Sequence, residues 1–324
     1  MIVVACPGQG SQTPGFLSPW LELDGARELL AAFSDAAEVD LIVHGTESDA
    51  ETIRDTRIAQ PLIVAASLLA WSALEQRAPS TPGGTAGHSV GEIAALVIAG
   101  VISAQDGMNL VGIRGRAMAD AAALEPTGMS AVVGGDEEVV LARLEELALT
   151  PANFNGGGQI VAAGVPGALA ELAAEAPRGA RVIPLQVAGA FHTGYMAPAV
   201  ERLRIAADTI EATNPKLTLW TNSDGSIVTS GPTAIDLLVG QVASPVRWDL
   251  CMAGFADAGI TGLIELTPAG TLAGLAKRGL RGVPSVAVAA AYPIDHGAGR
   301  TVGETVQTCV RGPARIRRLT RVAR

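Results

Sequence analysis

The sequence predicts an α/β protein with a large parallel-sheet domain and a smaller ferredoxin-like subdomain inserted into it. Three observations carry this. Short apolar runs alternate with helix-length apolar stripes along most of the chain, the pattern of strand–helix units. The middle, from about residue 125, changes to a strand–helix–strand–strand–helix–strand order. A glycine-flanked serine, Gly87-His88-Ser89-Val90-Gly91, stands between a strand-like and a helix-like run.

Ile2-Val3-Val4-Ala5-Cys6 reads as a buried strand rather than a leader peptide. The turn-rich Pro7-Gly8-Gln9-Gly10-Ser11-Gln12 follows it, where ligands gather in parallel sheets. Short helices are predicted over 25–39 and 51–58. A strong helix is predicted over 61–77, with Pro61 at its first position. Helices over 93–99 and 104–123 follow. The insert takes a strand at 129–134, a helix at 136–147, short strands at 152–155 and 160–164, a helix at 168–174 and a strand at 181–185. Beyond it come a helix at 196–210, a strand at 217–220, a helix at 233–242, a strand at 260–266 and a helix at 271–280. The boundaries are 1–124 and 191–290 for the large domain, 125–190 for the insert and 291–324 for a tail. Arg311 to Arg324 holds six arginines and no acid, which predicts a loosely attached or disordered basic tail.

Composition narrows the function. A chain of 324 residues with 48% hydrophobic content can bury a large core. A net charge of −9 argues against a nucleic-acid binder. Cys6, Cys251 and Cys309 have neither disulfide-framework nor zinc spacing, and predict reduced thiols in a cytoplasmic protein. No apolar run is read as long enough to span a membrane.

The G-x-S-x-G stretch fits a nucleophile elbow, in which serine sits on a sharp strand-to-helix turn as in an α/β-hydrolase-like domain. Glycines on either side permit the close backbone approach. The helix behind it would offer free N–H groups and a positive dipole end to an oxyanion. Ser89-x-x-Glu92 is equally a capping box, which needs no catalysis. An active serine requires a base, and the chain has four histidines. His88 should point away from its neighbour, His44 lies in a polar segment and His296 in the tail. His192, where the chain returns from the insert, remains. A triad would orient it with a carboxylate. Asp208, Asp236 and Asp249 do not stand out, so a backbone carbonyl is the alternative. Arg114 and Met118, four apart, share one helix face.

Pro7 to Gln12, Gly87 to Glu92, Arg114-Gly115, Phe191-His192 and Gln241, in this order, closely resemble the malonyl-CoA:acyl-carrier-protein transacylases of fatty-acid and polyketide synthesis. The resemblance spans roughly residues 1 to 288 and includes Asn153, Asn155 and Gln159. It implies Ser89 as the nucleophile and His192 as base and acid, oriented by the Gln241 carbonyl. It implies an oxyanion hole from the Gln9 and Val90 amides, and a grip by Arg114 on the free malonyl carboxylate. Phe191 would exclude a 2-methyl branch, Met118 would line the same pocket, and Gln60 would lie nearby. Gly189 stands where many relatives carry a bulkier or polar residue. The CoA thioester would be a substrate and no cofactor would be held permanently. Because carrier proteins are acidic, Lys277 and Arg278 become docking candidates, alongside the basic tail. The rival readings are an α/β-hydrolase-type esterase or thioesterase and a non-catalytic carrier-docking subunit.

Overall fold

The computed structural model describes residues 1–75 and 81–288. Two sheets organise these residues. In chain order the first elements are β1 (Ile2–Cys6), α1 (Ala26–Ala37), α2 (Leu41–Thr46), α3 (Thr56–Glu75), β2 (Gly84–Gly87), α4 (Gly91–Ile98) and α5 (Ala104–Ala122). The middle holds β3 (Gly128–Gly134), α6 (Glu137–Glu146), β4 (Thr150–Gly156), β5 (Gln159–Gly164), α7 (Pro166–Ala174) and β6 (Ala180–Pro184). Then come α8 (Ala197–Ala207), β7 (Thr218–Trp220), β8 (Ile227–Val228), α9 (Gly231–Gln241), β9 (Val246–Arg247), α10 (Trp248–Asp257), β10 (Gly262–Glu265), α11 (Thr271–Gly279) and β11 (Ser285–Ala287).

The larger sheet has the order β11-β10-β1-β2-β7-β8, parallel except for the final β7–β8 pair. β1 pairs on both sides and is apolar throughout, as a strand covered on both faces must be. Its residues alternate between two cores. Val4 and Cys6 join the layer built from α3, α4 and α5, while Val3 and Ala5 join Trp248, Phe255, Leu272 and Leu275 of α10 and α11. Cys6 and Cys251 are buried free thiols, and burial pushes the Cys6 thiol up to about 12.

The smaller sheet runs β6-β3-β5-β4-β9. Its first four strands are antiparallel, and β9 pairs parallel with β4. One face packs Val132, Ile160 and Ala162 against Val140, Leu144, Leu169 and Leu172 of α6 and α7. The other face carries Met129, Ala131 and Val161 toward the large sheet. Period-2 alternation thus gives this sheet one private core and one shared wall.

Several boundaries differ from the sequence expectation. α3 begins at Thr56, so Pro61 lies inside the helix and not at its first position. The helix gives up one bond there, and the near-complete burial of residues 59–70 holds it together. α3 is also, by length and composition, apolar enough to cross a bilayer, contrary to the sequence reading; most of it is buried in the core. The segment after Arg247 forms α10, which the sequence reading did not anticipate. Its Trp248, Cys251, Met252 and Phe255 follow the i, i+3, i+4, i+7 spacing of a packed helix face. The expected basic tail, His296 and Cys309 lie outside the described residues.

Candidate active site

The site forms at the carboxyl ends of β1, β2 and β7, the edge where parallel sheets bind ligands. The turn after β2 is tight because its glycines allow it. A Cβ on Gly87 would lie 2.0 Å from the Gly91 carbonyl carbon, and one on Gly91 would lie 2.2 Å from the Cys6 carbonyl oxygen. Between them Ser89 is held at φ 53°, a left-handed conformation costly for a non-glycine residue. Its N–H donates to Asn222 Oδ1 at 2.8 Å, and Asn222 Nδ2 donates back to the Gly87 carbonyl at 2.7 Å. The capping-box alternative is not what forms: Val90 is the N-cap of α4, and the Glu92 side chain accepts from the N–H of Asn222 at 2.6 Å.

Ser89 Oγ lies 2.7 Å from His192 Nε2, and His192 Nδ1 lies 2.8 Å from the Gln241 carbonyl oxygen. A carbonyl only accepts, so Nδ1 carries the proton and Nε2 is left to accept from the serine hydroxyl. His192 also sits in the left-handed region, at φ 62°. Burial, then the nearby Arg114 guanidinium, brings its pKa down to about 3, so the imidazole is neutral near pH 7. The three carboxylates considered from sequence lie elsewhere: Asp236 pairs with Arg204, Asp249 pairs with Arg247 at 2.7 Å, and Asp208 closes α8.

Arg114 is fully buried. Its Nη1 donates to Gln60 Oε1 at 2.7 Å and its Nη2 to Gln241 Oε1 at 2.9 Å, and Nη2 lies 3.5 Å from Ser89 Oγ. Nε has no partner. Burial lowers the guanidinium pKa to about 10, opposed by Glu92. Glu92 is itself pushed up to about 7 by burial, against the pull of its donors and of Arg114. Its second carboxylate oxygen accepts from Gln241 Nε2. Glu92 and Asn222 are the site members that sequence reading missed. The Ser-x-x-Glu spacing was visible but had a ready explanation as a cap. Asn222 offered only its place just past a strand end.

A cavity of about 290 Å³ opens over the serine. Gln9, Val90, Gln60, Met118 and Phe191 all line it, together with Asn153, Asn155 and Gln159 from the small sheet. Neither the Gln9 nor the Val90 backbone N–H has an acceptor among the described residues. Met118 is buried against Gln60, whose Nε2 lies 3.4 Å from its sulfur. His88 departs from expectation. It lines the cavity as well, with Nε2 2.8 Å from Asn155 Oδ1 and its ring edge-on to Trp248. His44 lies apart, paired with Ser48. Gly189 is outside the cavity lining; a Cβ there would lie 2.7 Å from that of Ala122, so close packing explains the glycine. Lys277 and Arg278 are exposed at the end of α11, whose first turns (Thr271, Leu272, Leu275) wall the cavity.

The family model described as "acyl transferase domain" matches residues 3–310, which sets the class. A malonyl CoA-acyl carrier protein transacylase of Mycobacterium tuberculosis is 54% identical over 297 residues, 91% of this chain and 98% of that protein. The crystal structure of an MCAT from M. tuberculosis superposes with a TM-score of 0.87 at 55% identity, covering 90% of this chain and 97% of that one. A malonyl-transacylase in complex with a type II PKS acyl-carrier protein matches with a TM-score of 0.81 at 31% identity, covering 89% and 95% of the two chains. The chain belongs to the malonyl CoA-acyl carrier protein transacylase family.

Proposed function

We propose that this chain moves a malonyl group from malonyl-CoA to the phosphopantetheine thiol of an acyl carrier protein, through an ester on Ser89, in fatty-acid or polyketide synthesis. The 2.7 Å contact between Ser89 Oγ and His192 Nε2 carries the reading. Ser89 attacks the thioester carbonyl while its proton passes to Nε2. The Gln9 and Val90 amides hold the oxyanion, each such donor being worth about 100- to 1,000-fold in rate. The C–S bond breaks and the imidazolium returns its proton to the departing CoA thiolate. The carrier thiol then gives its proton to Nε2 and attacks the ester carbonyl; the Oγ–C bond breaks and the imidazolium returns the proton to Ser89 Oγ. Gln241 orients His192 through its carbonyl, so the base needs no carboxylate. The CoA thioester is consumed as substrate, and the residues named need no resident cofactor.

Arg114 takes the free carboxylate of the malonyl group, because a guanidinium pairs with a carboxylate through two parallel hydrogen bonds. Gln60 and Met118 shape that end of the pocket, and Phe191 closes it to a 2-methyl branch. The carrier docks near Lys277 and Arg278, on the helix that walls the cavity. We assign the large unit (1–124 and 191–290) to an α/β-hydrolase-like fold and the insert (125–190) to a ferredoxin-like one, a reading supported by the order β6-β3-β5-β4. We place the reaction in the cytoplasm. Intact mass after mixing with malonyl-CoA tests the function. A malonyl adduct that persists in water and discharges onto added carrier protein is expected. Discharge to water alone would make the enzyme a thioesterase.

A further inference from the structure

The buried Glu92 has no part in the chemistry above, yet it accepts hydrogen bonds from two members of the site, Asn222 and Gln241. Its Oε1 accepts from the Asn222 N–H, and Asn222 Oδ1 in turn accepts the Ser89 N–H. Its Oε2 accepts from Gln241 Nε2, and the carbonyl of the same glutamine orients His192. Both oxygens accept, the arrangement of a carboxylate.

The Gln241 amide is polarised by what surrounds it. Its nitrogen faces three acceptors: Glu92 Oε2, the Ser89 carbonyl at 3.1 Å and Asn222 Oδ1 at 3.2 Å. Its oxygen faces the Arg114 Nη2 donor at 2.9 Å. A flipped amide would set N–H against a guanidinium and oxygen against a carboxylate. Arg114 is therefore held by two neutral oxygens, from Gln60 and Gln241, with the compensating negative charge one residue removed. A carboxylate bound directly to Arg114 would compete with the substrate's own. An amide oxygen yields to it, because the charge-assisted bond is the stronger.

We propose that Glu92 is a positioning residue: through the side-chain amide of Gln241 it holds Arg114 aimed at the malonyl carboxylate while leaving the guanidinium free to exchange partners. The proposal rests on Arg114 being the malonyl-carboxylate site.

The readout is the ratio of Ser89 acylation rates with malonyl-CoA and acetyl-CoA. Arg114→Ala lowers that ratio, which establishes the carboxylate site. Glu92→Gln keeps the shape but sets an N–H against Gln241 Nε2 or forces the amide to flip. It lowers the ratio by about tenfold or more, the scale of one hydrogen bond to a charged group. In an Arg114→Ala background Glu92→Gln leaves the ratio unchanged, since nothing remains for it to aim. Loss of folding alone would reduce both acylations together and leave the ratio intact. If Glu92→Gln does not accumulate as folded protein, Gln241→Met breaks the relay from its other end, keeps the backbone carbonyl for His192, and is read the same way. A ratio within twofold of the parent for these variants, with Arg114→Ala still lowering it, overturns the positioning role alone. An unchanged ratio in Arg114→Ala overturns the carboxylate site, and the positioning role with it.

Discussion

The two sheets share one cavity and bring different things to it. The parallel-sheet half supplies groups locked to one another: Ser89 to His192, His192 to Gln241, Gln241 to Arg114 and Glu92. The antiparallel half supplies Met129, Ala131 and Val161, which neither donate protons nor carry charge, with Asn153 and Asn155 among them. Its hydrogen-bonded tie to the nucleophile turn is the His88–Asn155 contact. One half fixes the reaction and the other fixes the volume in which it occurs. Substitutions in the two halves should therefore separate rate from fit.

The largest effect belongs to the first half. Ser89→Ala should abolish the acyl-enzyme, a loss of about 10⁴-fold or more. His192→Ala should slow acylation by about 10²- to 10⁴-fold. Rapid-quench assays of CoA release measure both, and retained acylation in either variant would break the division between the halves.

Next comes pH. His192 is held well below its ordinary value of 6.5, at about 3, so it is neutral and able to accept a proton throughout the physiological range. kcat/KM for acylation should lose no activity to this group on going from pH 8 to pH 5.5. An inflection at 6.5 traced to His192 would contradict its buried, neutral state. The same shift has a stability sign. The unfolded chain binds the proton more tightly, so this group's contribution is present above pH 6.5 and is lost as pH falls toward 3. Denaturant melts of the parent and His192→Gln across that window check it.

Phe191 stands at the join, buried beside the base and lining the cavity. Phe191→Ala should admit a 2-methyl-branched donor at a gain of about 1–3 kcal/mol in relative transition-state binding, with malonyl transfer retained. Competition between methylmalonyl-CoA and malonyl-CoA sharpens the comparison, because fit should move more than rate. Smallest is Val161→Ala, from the antiparallel wall. It should cost about 1 kcal/mol of stability through a partly filled cavity and change malonyl transfer by less than about threefold. A drop near that of His192→Ala would place the wall in the chemistry.

What the sequence disclosed follows the same division. Ser89 was legible because the turn's steric demand imprints glycines at fixed offsets. His192 was legible because histidines are scarce. Helix α10 carries the apolar spacing of a packed helix face in its sequence, but Gly254 interrupts the run and reads as a break. The start of α3 was misplaced because Pro61 reads as a beginning, while burial on all sides lets the helix continue through it. Read from Pro61, the apolar run falls short of the roughly 20 residues that span a bilayer; read from Thr56, it reaches that length. Glu92 is visible in the sequence at capping-box spacing from Ser89, an alternative that asks nothing of it in the site. Its partners Asn222 and Gln241 lie 130 and 149 residues further on, and no local pattern encodes that meeting. The period-2 rule of a strand turns His88 away from Ser89, but β2 ends at Gly87 and the rule fails once the chain enters the turn.

Peptide mapping of the protein quenched moments after mixing with malonyl-CoA tests the central claim most directly. The account requires one malonyl group per chain, on the peptide that carries Ser89, absent from the Ser89→Ala variant. A malonyl group on another residue, or undiminished labelling of that variant, would contradict it.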